Sequence, residues 1–267
     1  MRLVTGELIQ ECADVYIGTL EDFAYNPYIA EQTDKHLQIN VLYSMISYAN
    51  PPIIFCYSSL IKQLSAVAHI FENQFTLITH NGDANVEDVY YVNSILNTPN
   101  LKRWYAQNVN YSHDKLVPLP IGIANRMWPH GNVSIIESSK TCDVYMSFDL
   151  NTNPKKRSEC FEALRDKVPF LPFVSPNDNI ERLAQYKYCV CPEGNGLDTH
   201  RLWEALYLQV VPIMLKTKHV ELLTNQYLFP VILLDRWQDL DVSSLPPYEI
   251  FKFHHIDMDK LRKQMCE

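Results

Sequence analysis

Short apolar runs alternate with amphipathic stretches along the chain from residue 53 onward. The runs at 53–57 and 75–79 are rich in β-branched and aromatic residues and are bounded by turn-forming residues, which predicts two strands. Apolar side chains recur at helical spacing over 58–72, so we expect a helix between them. Weaker patterns predict a helix at 89–96 and a strand at 104–106. The segment 116–121 is predicted to be extended, and its two prolines indicate that it runs along an edge of the sheet or leads out of the first domain.

The same alternation restarts at residue 143, after a polar stretch at 132–140 that we interpret as a linker. The predicted order is a strand at 143–148, helices at 157–166 and 179–185, strand, helix and strand between 188 and 215, and a last strand at 228–234. Alternating strands and helices favour parallel sheets with helices on both faces. We therefore expect an α/β protein with a first domain at 1–138, a second at 139–245, and a tail at 246–267 that packs back onto the first.

The segment after the strand at 188–191 contains two of the chain's seven glycines. Gly194 and Gly196 therefore mark a sharp bend or a close approach of the backbone. Asp198 or Thr199 is placed to cap the helix that follows, and the first N–H groups of that helix would point into the bend. Such a helix start is an anion site equivalent to roughly half a positive charge.

Three charged or titratable side chains in this helix extend the anion hypothesis. His200 and Arg201 fall in the first turn, where cations oppose the helix dipole, so a bound anion is the expected partner. Glu204 lies one turn from His200 on the same face, where a carboxylate is placed to bind the hydroxyls of a ribose. The alternative is that Glu204 only pairs with His200 or Arg201 on a solvated face.

Three motifs within 189–215, C-P-E-G, R-L-W-E-A-L and V-P-I, resemble the nucleotide-sugar half of exostosin-like glycosyltransferases in order and spacing. Upstream, 143–148 and 151–157 resemble that family's first strand in this domain and the arginine-bearing loop after it. The stretches 79–85 and 119–125 are similar to small exostosin-like enzymes of microbes and large viruses. The resemblance is dense from about 140 to 235 and thin before residue 75. It implies a GT-B fold, in which two Rossmann-like domains face a cleft and the C-terminal one holds most of the sugar nucleotide.

The resemblance also implies an enzyme that moves a sugar, with inversion, from a UDP-sugar to a hydroxyl of an acceptor glycan. Small donors such as UDP-xylose suit a compact pocket. The donor-binding residues that follow from it are Arg157, Tyr188, Pro192, Glu193, Gly194, Asn195, Gly196, Thr199, His200, Arg201 and Glu204.

No metal cofactor is expected, because Arg157, Arg201 and the helix start would stabilise the departing diphosphate. Metal-dependent transferases hold a cation with a D-x-D motif, and two such strings occur at 239–241 and 257–259. Both lie in a polar context near the C-terminus rather than at the end of a buried strand. We therefore interpret them as solvated acids.

The acceptor side needs a base and a surface that binds sugar. The strand at 75–79 runs into His80 and Asp83; Asp83 is the first candidate for the base, His80 the second and Asp22 a distant third. An ordinary turn has the same composition at that point. Arg126, Trp128 and His130 are placed to form an acceptor-binding rim, and a buried interdomain tryptophan is the alternative.

Composition narrows the class of partner. The net charge of −8 and the pI near 5.6 argue against a general nucleic-acid or anionic-membrane surface. The seven scattered cysteines indicate a reducing compartment, and no apolar run approaches the ~20 residues of a membrane span. We expect a cytoplasmic protein, in the host cytoplasm if it is viral, whose partners are a nucleotide sugar and an acceptor oligosaccharide. The sequence does not indicate the oligomeric state.

Two other functions stay open at this point. A fucosyltransferase-like GT-B enzyme that uses a GDP-sugar also carries a C-P-E segment before a comparable helix. That group has a lysine after a glutamate where this chain has His200 and Arg201, which counts against it. A catalytically silent glycan- or nucleotide-binding module is the other alternative.

Overall fold

A computed structural model of the chain describes residues 2–41, 52–251 and 256–266. These residues form two compact units. The first contains the chain up to Ile121 together with the segment that begins at Ile256, and the second contains Gly122–His255.

The first unit is built on a sheet of six parallel strands in the order β2-β1-β3-β4-β5-β6. The strands are β1 Val15–Gly18, β2 His36–Gln38, β3 Ile53–Tyr57, β4 Phe75–His80, β5 Leu101–Ala106 and β6 Leu116–Pro118. Every residue of β3 and β4 is buried, as expected for parallel strands that are covered on both faces. The proline-containing segment β6 lies at the edge of the sheet, as the sequence predicted.

Six helices belong to the described part of this unit. They are α1 Gly6–Gln10, α2 Leu20–Tyr25, α3 Pro27–Ala30, α4 Ile61–Val67, α5 Tyr90–Leu96 and α10 Met258–Cys266. The helix predicted at 58–72 is α4 with a 3-10 turn at each end, Ser58–Leu60 and Ala68–Ile70. The C-terminal α10 is attached through the Met258 N–H, which donates to Arg2 O at 3.0 Å, and through the Tyr105 hydroxyl, which donates to Gln264 O at 2.8 Å.

The second unit contains a sheet of four parallel strands in the order β10-β9-β8-β7. The strands are β7 Cys142–Tyr145, β8 Tyr186–Val190, β9 Val211–Leu215 and β10 Ile232–Leu234, and the helices are α6 Pro154–Leu164, α7 Pro176–Leu183, α8 His200–Tyr207 and α9 Lys218–Tyr227. The strands and helices predicted from residue 143 onward are therefore present, with ends shifted by a few residues.

The polar stretch 132–140 falls within the second unit. At its end, the Lys140 ammonium donates to Ala184 O at 2.6 Å and to Leu208 O at 2.7 Å. These carbonyls lie at the C-terminal ends of α7 and α8, where a cation is favoured by both helix dipoles.

The chain is thus an α/β protein with parallel sheets flanked by helices. Among residues 2–41, 52–251 and 256–266, we find no helix with the length and apolar character needed to cross a membrane.

Candidate functional site

Two loops of the second unit leave the same edge of its sheet. β7 and β8 are parallel neighbours, with Tyr145 opposite Cys189, so the segments that follow them both start at the carboxyl edge. Residues 146–153 lead from β7 to α6, and residues 191–199 lead from β8 to α8. Ligands of parallel α/β sheets commonly bind at this edge.

Asn153 joins these two loops. Its side-chain Oδ1 accepts from the Lys156 N–H at 3.3 Å and caps α6, while its Nδ2 donates to Gly194 O at 2.7 Å. The residue has φ 120° and ψ 70°, in the region that side chains seldom adopt and that asparagine tolerates better than most residues. A single amide therefore fixes the start of α6 against the glycine-containing loop.

Arg157 lies in the first turn of α6 and reaches across to the same loop. Its Nε donates to Glu193 O at 3.1 Å and its Nη1 to Asp149 O at 2.8 Å. Its Nη2 lies 3.4 Å from the position that a Cβ on Gly194 would occupy. Within the described residues Arg157 forms no ion pair with a carboxylate. Burial, and then the positive charge of Arg201, lower the pKa of Arg157.

Gly194 is buried between the two helix starts. An added Cβ would meet Thr199 Cγ2 at 3.4 Å and Thr152 Cγ2 at 3.8 Å, in addition to Arg157 Nη2. Its φ is not in the left-handed region, so the backbone conformation does not require glycine here. A side chain would instead fill the space next to Arg157 and Thr199.

Thr199 occupies the N-cap position of α8, but its side chain makes no capping hydrogen bond. Its Oγ1 is buried and has no hydrogen-bond partner within the described part of the chain. The neighbouring Asp198 accepts the Thr199 N–H at 2.8 Å and the Trp203 Nε1–H at 2.8 Å, and it is 3% exposed. The helix therefore begins with a buried hydroxyl that has no partner in the described chain, next to a methyl group that contacts the Gly194 position, and one N–H is taken by a carboxylate.

Arg201 and Glu204 bind each other within the fold. Arg201 Nε donates to Glu204 Oε2 at 2.9 Å, and the Glu204 side chain is only 7% exposed. Burial is the largest influence and lowers the pKa of Arg201, but Glu204 together with Cys189 and Tyr145 outweighs it, so the pKa is raised. The pair that the alternative interpretation predicted is therefore present. It does not lie on a solvated face, because the Glu204 side chain is buried.

The other residues predicted to bind the donor lie partly in the core of the unit and partly in the loop before α8. Tyr188 is 4% exposed, packs in the hydrophobic core of the unit, and donates its hydroxyl proton to Pro246 O. Glu193 forms an ion pair with Lys156. Pro192 and Gly196 are buried in the loop, whereas Asn195 is exposed. Tyr188 thus faces the core and not the loop after its strand.

His200 connects the start of α8 to the predicted acceptor rim. Its Nδ1 lies 2.8 Å from Gly122 O, and its ring centroid is 5.9 Å from that of His130. His130 in turn stacks on Trp128 at 6.2 Å. Trp128 is 38% exposed, which excludes the alternative of a fully buried tryptophan. Arg126 is exposed in the same segment, and all these residues belong to the second unit.

The candidate bases belong to the first unit and have different surroundings. His80 is 1% exposed, with Nδ1 3.1 Å from Asn81 Oδ1 and Nε2 3.0 Å from Pro120 O. Asp22 accepts from the Thr19 N–H and hydroxyl in the cap of α2. Asp83 is exposed and makes no hydrogen bond or ion pair with the described residues. Of the three, Asp83 is the most exposed.

The acids of the two D-x-D strings have partners within the fold. Asp239 pairs with Arg236, Asp241 accepts from Ser243, and Asp257 accepts from the Arg2 N–H. In the three described stretches no group of three or more His, Cys, Asp or Glu side chains is arranged to hold a metal ion. Metal independence stays a prediction.

Two contributors to the site were not identified from the sequence. Asn153 could have been identified from the sequence, because an asparagine directly before a proline is typical of a helix N-cap followed by proline at the first helical position. Asn179, which accepts from both Tyr145 and Arg201, gives no comparable signal because its partners come from other elements.

Comparison with protein-family models gives no match, and comparison with curated proteins gives none either. Among solved structures, the chain is similar to the spinosyn rhamnosyltransferase SpnG at 10% identity and a TM-score of 0.41, over 89% of this chain and 68% of that one. A complex of the same enzyme with thymidine diphosphate matches at 10% identity and 0.41, over 80% and 67%. The glycotransferase of kitacinnamycin matches at 9% identity and 0.40, over 98% and 85%. Similarity of this size does not establish a shared activity, which has to follow from the site.

Proposed function

We propose that this protein is a glycosyltransferase that binds the diphosphate of a nucleotide-sugar donor at residues 191–199 of its second unit. The observation that carries the proposal is that three anion-seeking groups lie around the loop that contains Gly194. Arg157 Nη2 lies 3.4 Å from the position that a Cβ on Gly194 would occupy, the neighbouring Thr199 has a buried hydroxyl without a partner in the described chain, and α8 begins there with no side-chain cap.

Each group is costly to leave as it stands. A partly buried guanidinium without a carboxylate loses hydration, and a buried hydroxyl without a partner loses a hydrogen bond that it would make in water. A phosphate oxygen beside Gly194 would satisfy both groups and would also interact favourably with the N-terminal end of α8. An uncharged ligand could accept from these donors but would leave the charge of Arg157 uncompensated.

The same groups suit the chemistry of sugar transfer. The leaving diphosphate gains negative charge as its bond to the sugar breaks, and a fixed cation with a helix start stabilises that charge in the transition state. The proposed reaction is inverting and needs no metal ion. A UDP-sugar is the donor, a hydroxyl of an acceptor glycan is the nucleophile, and Asp83 is the base that accepts its proton. The resemblance of the motifs in 189–215 to exostosin-like enzymes supports the class of donor.

Binding of nucleoside diphosphates by isothermal titration calorimetry tests the proposal. We expect UDP to bind, with the same affinity in EDTA, and to bind more tightly than GDP or TDP. Arg157→Met should weaken UDP by about 10-fold or more, because a charge-assisted hydrogen bond is lost. Arg165→Met is the matched control at the C-cap of α6, since Arg165 is exposed and pairs with Glu162. Absence of UDP binding, or equal affinity in both variants, would refute the site.

Activity is a separate question from binding. Release of UDP from a UDP-sugar in the presence of an acceptor glycan distinguishes a transferase from a silent binding module. Tighter binding and turnover of a GDP-sugar would instead identify the fucosyltransferase-like alternative.

A further inference from the structure

The segment 122–132, at the beginning of the second unit, contacts the first residue of α8 at two points. His200 Nδ1 lies 2.8 Å from Gly122 O, and because a carbonyl oxygen only accepts, Nδ1 is the donor. The His200 ring also lies 5.9 Å, between centroids, from the ring of His130. His200 directly follows Thr199, whose hydroxyl belongs to the proposed phosphate site. The segment is therefore attached to the helix start at which the diphosphate is proposed to bind.

The same segment is fixed by bonds of its own. The Trp128 N–H donates to Asn125 O at 2.9 Å, and the Gly131 N–H donates to Trp128 O at 2.9 Å. A Cβ on Gly131 would lie 1.9 Å from Asn125 O, so a side chain is not tolerated there. Because its backbone is bonded on both sides, Trp128 is held in place before any ligand arrives.

Trp128 and His130 together form a partly exposed aromatic surface. Their rings are nearly parallel, with an interplanar angle of 21°. His130 is half-buried, and its ring nitrogens make no hydrogen bond with the described residues. The face of an indole packs against the C–H groups of a sugar ring, and an imidazole nitrogen can bond one of its hydroxyls. The two side chains therefore offer both kinds of contact that a sugar ring needs.

We propose that Trp128 and His130 bind the sugar ring of the donor, and not the acceptor glycan, which is the role expected for them from the sequence. This rests on the proposed function, because a single oxygen joins the sugar of a nucleotide sugar to its second phosphate. The groups that hold the sugar must therefore come from the surroundings of the phosphate site. Trp128 and His130 belong to the same unit as that site, whereas the proposed base Asp83 belongs to the first unit.

The difference between UDP and a UDP-sugar isolates the contacts of the sugar ring. UDP, UDP-xylose and UDP-glucose are titrated by calorimetry into the full chain in the absence of acceptor. We expect Trp128→Ala to leave the Kd of UDP unchanged and to raise the Kd of the UDP-sugars by about 10-fold, because the surface that packs on the ring is lost.

Phe173→Ala is the matched control, since it removes another exposed aromatic side chain of the second unit. The ratio of the UDP-sugar Kd to the UDP Kd should keep its wild-type value in this variant. Circular dichroism and thermal melts confirm that each variant is folded.

His130 provides a second, independent variant. His130→Leu keeps an apolar side chain but removes the ring nitrogens, and we expect the ratio of the UDP-sugar Kd to the UDP Kd to rise several-fold. His130→Gln restores a hydrogen-bonding group and should recover most of that loss. A merely structural role of either residue would change the binding of UDP and UDP-sugars alike.

The inference fails, with the nucleotide site left standing, if the ratio in Trp128→Ala equals that of the wild type. A higher KM for the acceptor in that variant would then assign Trp128 to the acceptor. Equal weakening of UDP and UDP-sugars would assign the indole to the nucleobase or to the fold, and would also overturn the inference. So would a wild type that binds UDP but neither UDP-sugar. A wild type that binds no nucleoside diphosphate would instead defeat the proposed function.

Discussion

The side-chain amide of Asn153 donates to the backbone carbonyl of Gly194 across 2.7 Å and links the start of α6 to the loop before α8. Asn153→Asp keeps an oxygen to cap α6 but replaces this donor by a carboxylate facing a carbonyl. We expect unfolding free energy to fall by about 1–3 kcal/mol and UDP affinity to fall several-fold. Chemical denaturation and calorimetry measure the two effects.

Asn225→Asp is the control for that substitution, since it adds the same charge at an exposed position of α9. Little change is expected in either measurement. If both variants behave alike, the link between Asn153 and Gly194 does not shape the site.

Thr199 and Thr217 occupy the same position in two helices but make different bonds. Thr217 Oγ1 accepts the Val220 N–H at 3.3 Å, whereas Thr199 Oγ1 has no partner in the described chain. We expect Thr217→Val to lower the unfolding free energy by about 1 kcal/mol and to leave UDP binding unchanged. Thr199→Val should do the reverse, with equal or higher stability and an affinity lower by about 5- to 10-fold. Loss of stability in Thr199→Val without loss of binding would show that the hydroxyl serves the fold.

Burial of Lys140 makes the unfolding free energy depend on pH, and the direction of the shift in its pKa sets the sign. Burial lowers the pKa of Lys140 from its ordinary 10.5 to about 8. Below about 8 the ammonium is charged in both the folded and the unfolded state. Between about 8 and 10.5 the unfolded chain holds more protons, so the unfolding free energy should rise with pH in that window.

Lys140→Met tests this assignment. We expect the variant to be less stable near neutral pH, because the carbonyls of Ala184 and Leu208 lose their donor. We also expect the rise between about 8 and 10.5 to disappear, as measured by urea unfolding across the range. An unchanged rise in the variant would assign it to another group.

Asp83 is the proposed base and is the most exposed of the three candidates. Asp83→Asn should lower kcat by about 10²- to 10⁴-fold with little change in KM for the donor, because a proton acceptor is lost and the nucleotide site is untouched. UDP release at saturating donor measures this. Asp114→Asn, an exposed acid of the same unit, is the control and should retain full kcat. Retained kcat in Asp83→Asn would remove Asp83 from the mechanism.

The elements that the sequence predicted are those whose apolar pattern is strong. β3 and β4 are runs of buried side chains, and α4 is amphipathic, so hydrophobic periodicity alone places them. β1 and β2 were not identified, because strands of four and three residues give too little pattern to separate from a loop.

For the candidate site, the sequence alone identified the segment between the strand and the helix where an anion is expected to bind. Two glycines between a strand and a helix indicate a sharp bend or a close backbone approach, and a helix start has positive potential. Only the tertiary structure decided which contacts Arg157 and Arg201 make within the fold. The spacing of Arg201 and Glu204 permits a pair, but Ser147, Asn179 and Tyr145 come from other elements and turn that pair inward. The direction of a long side chain depends on contacts between segments distant in sequence, which local pattern does not encode.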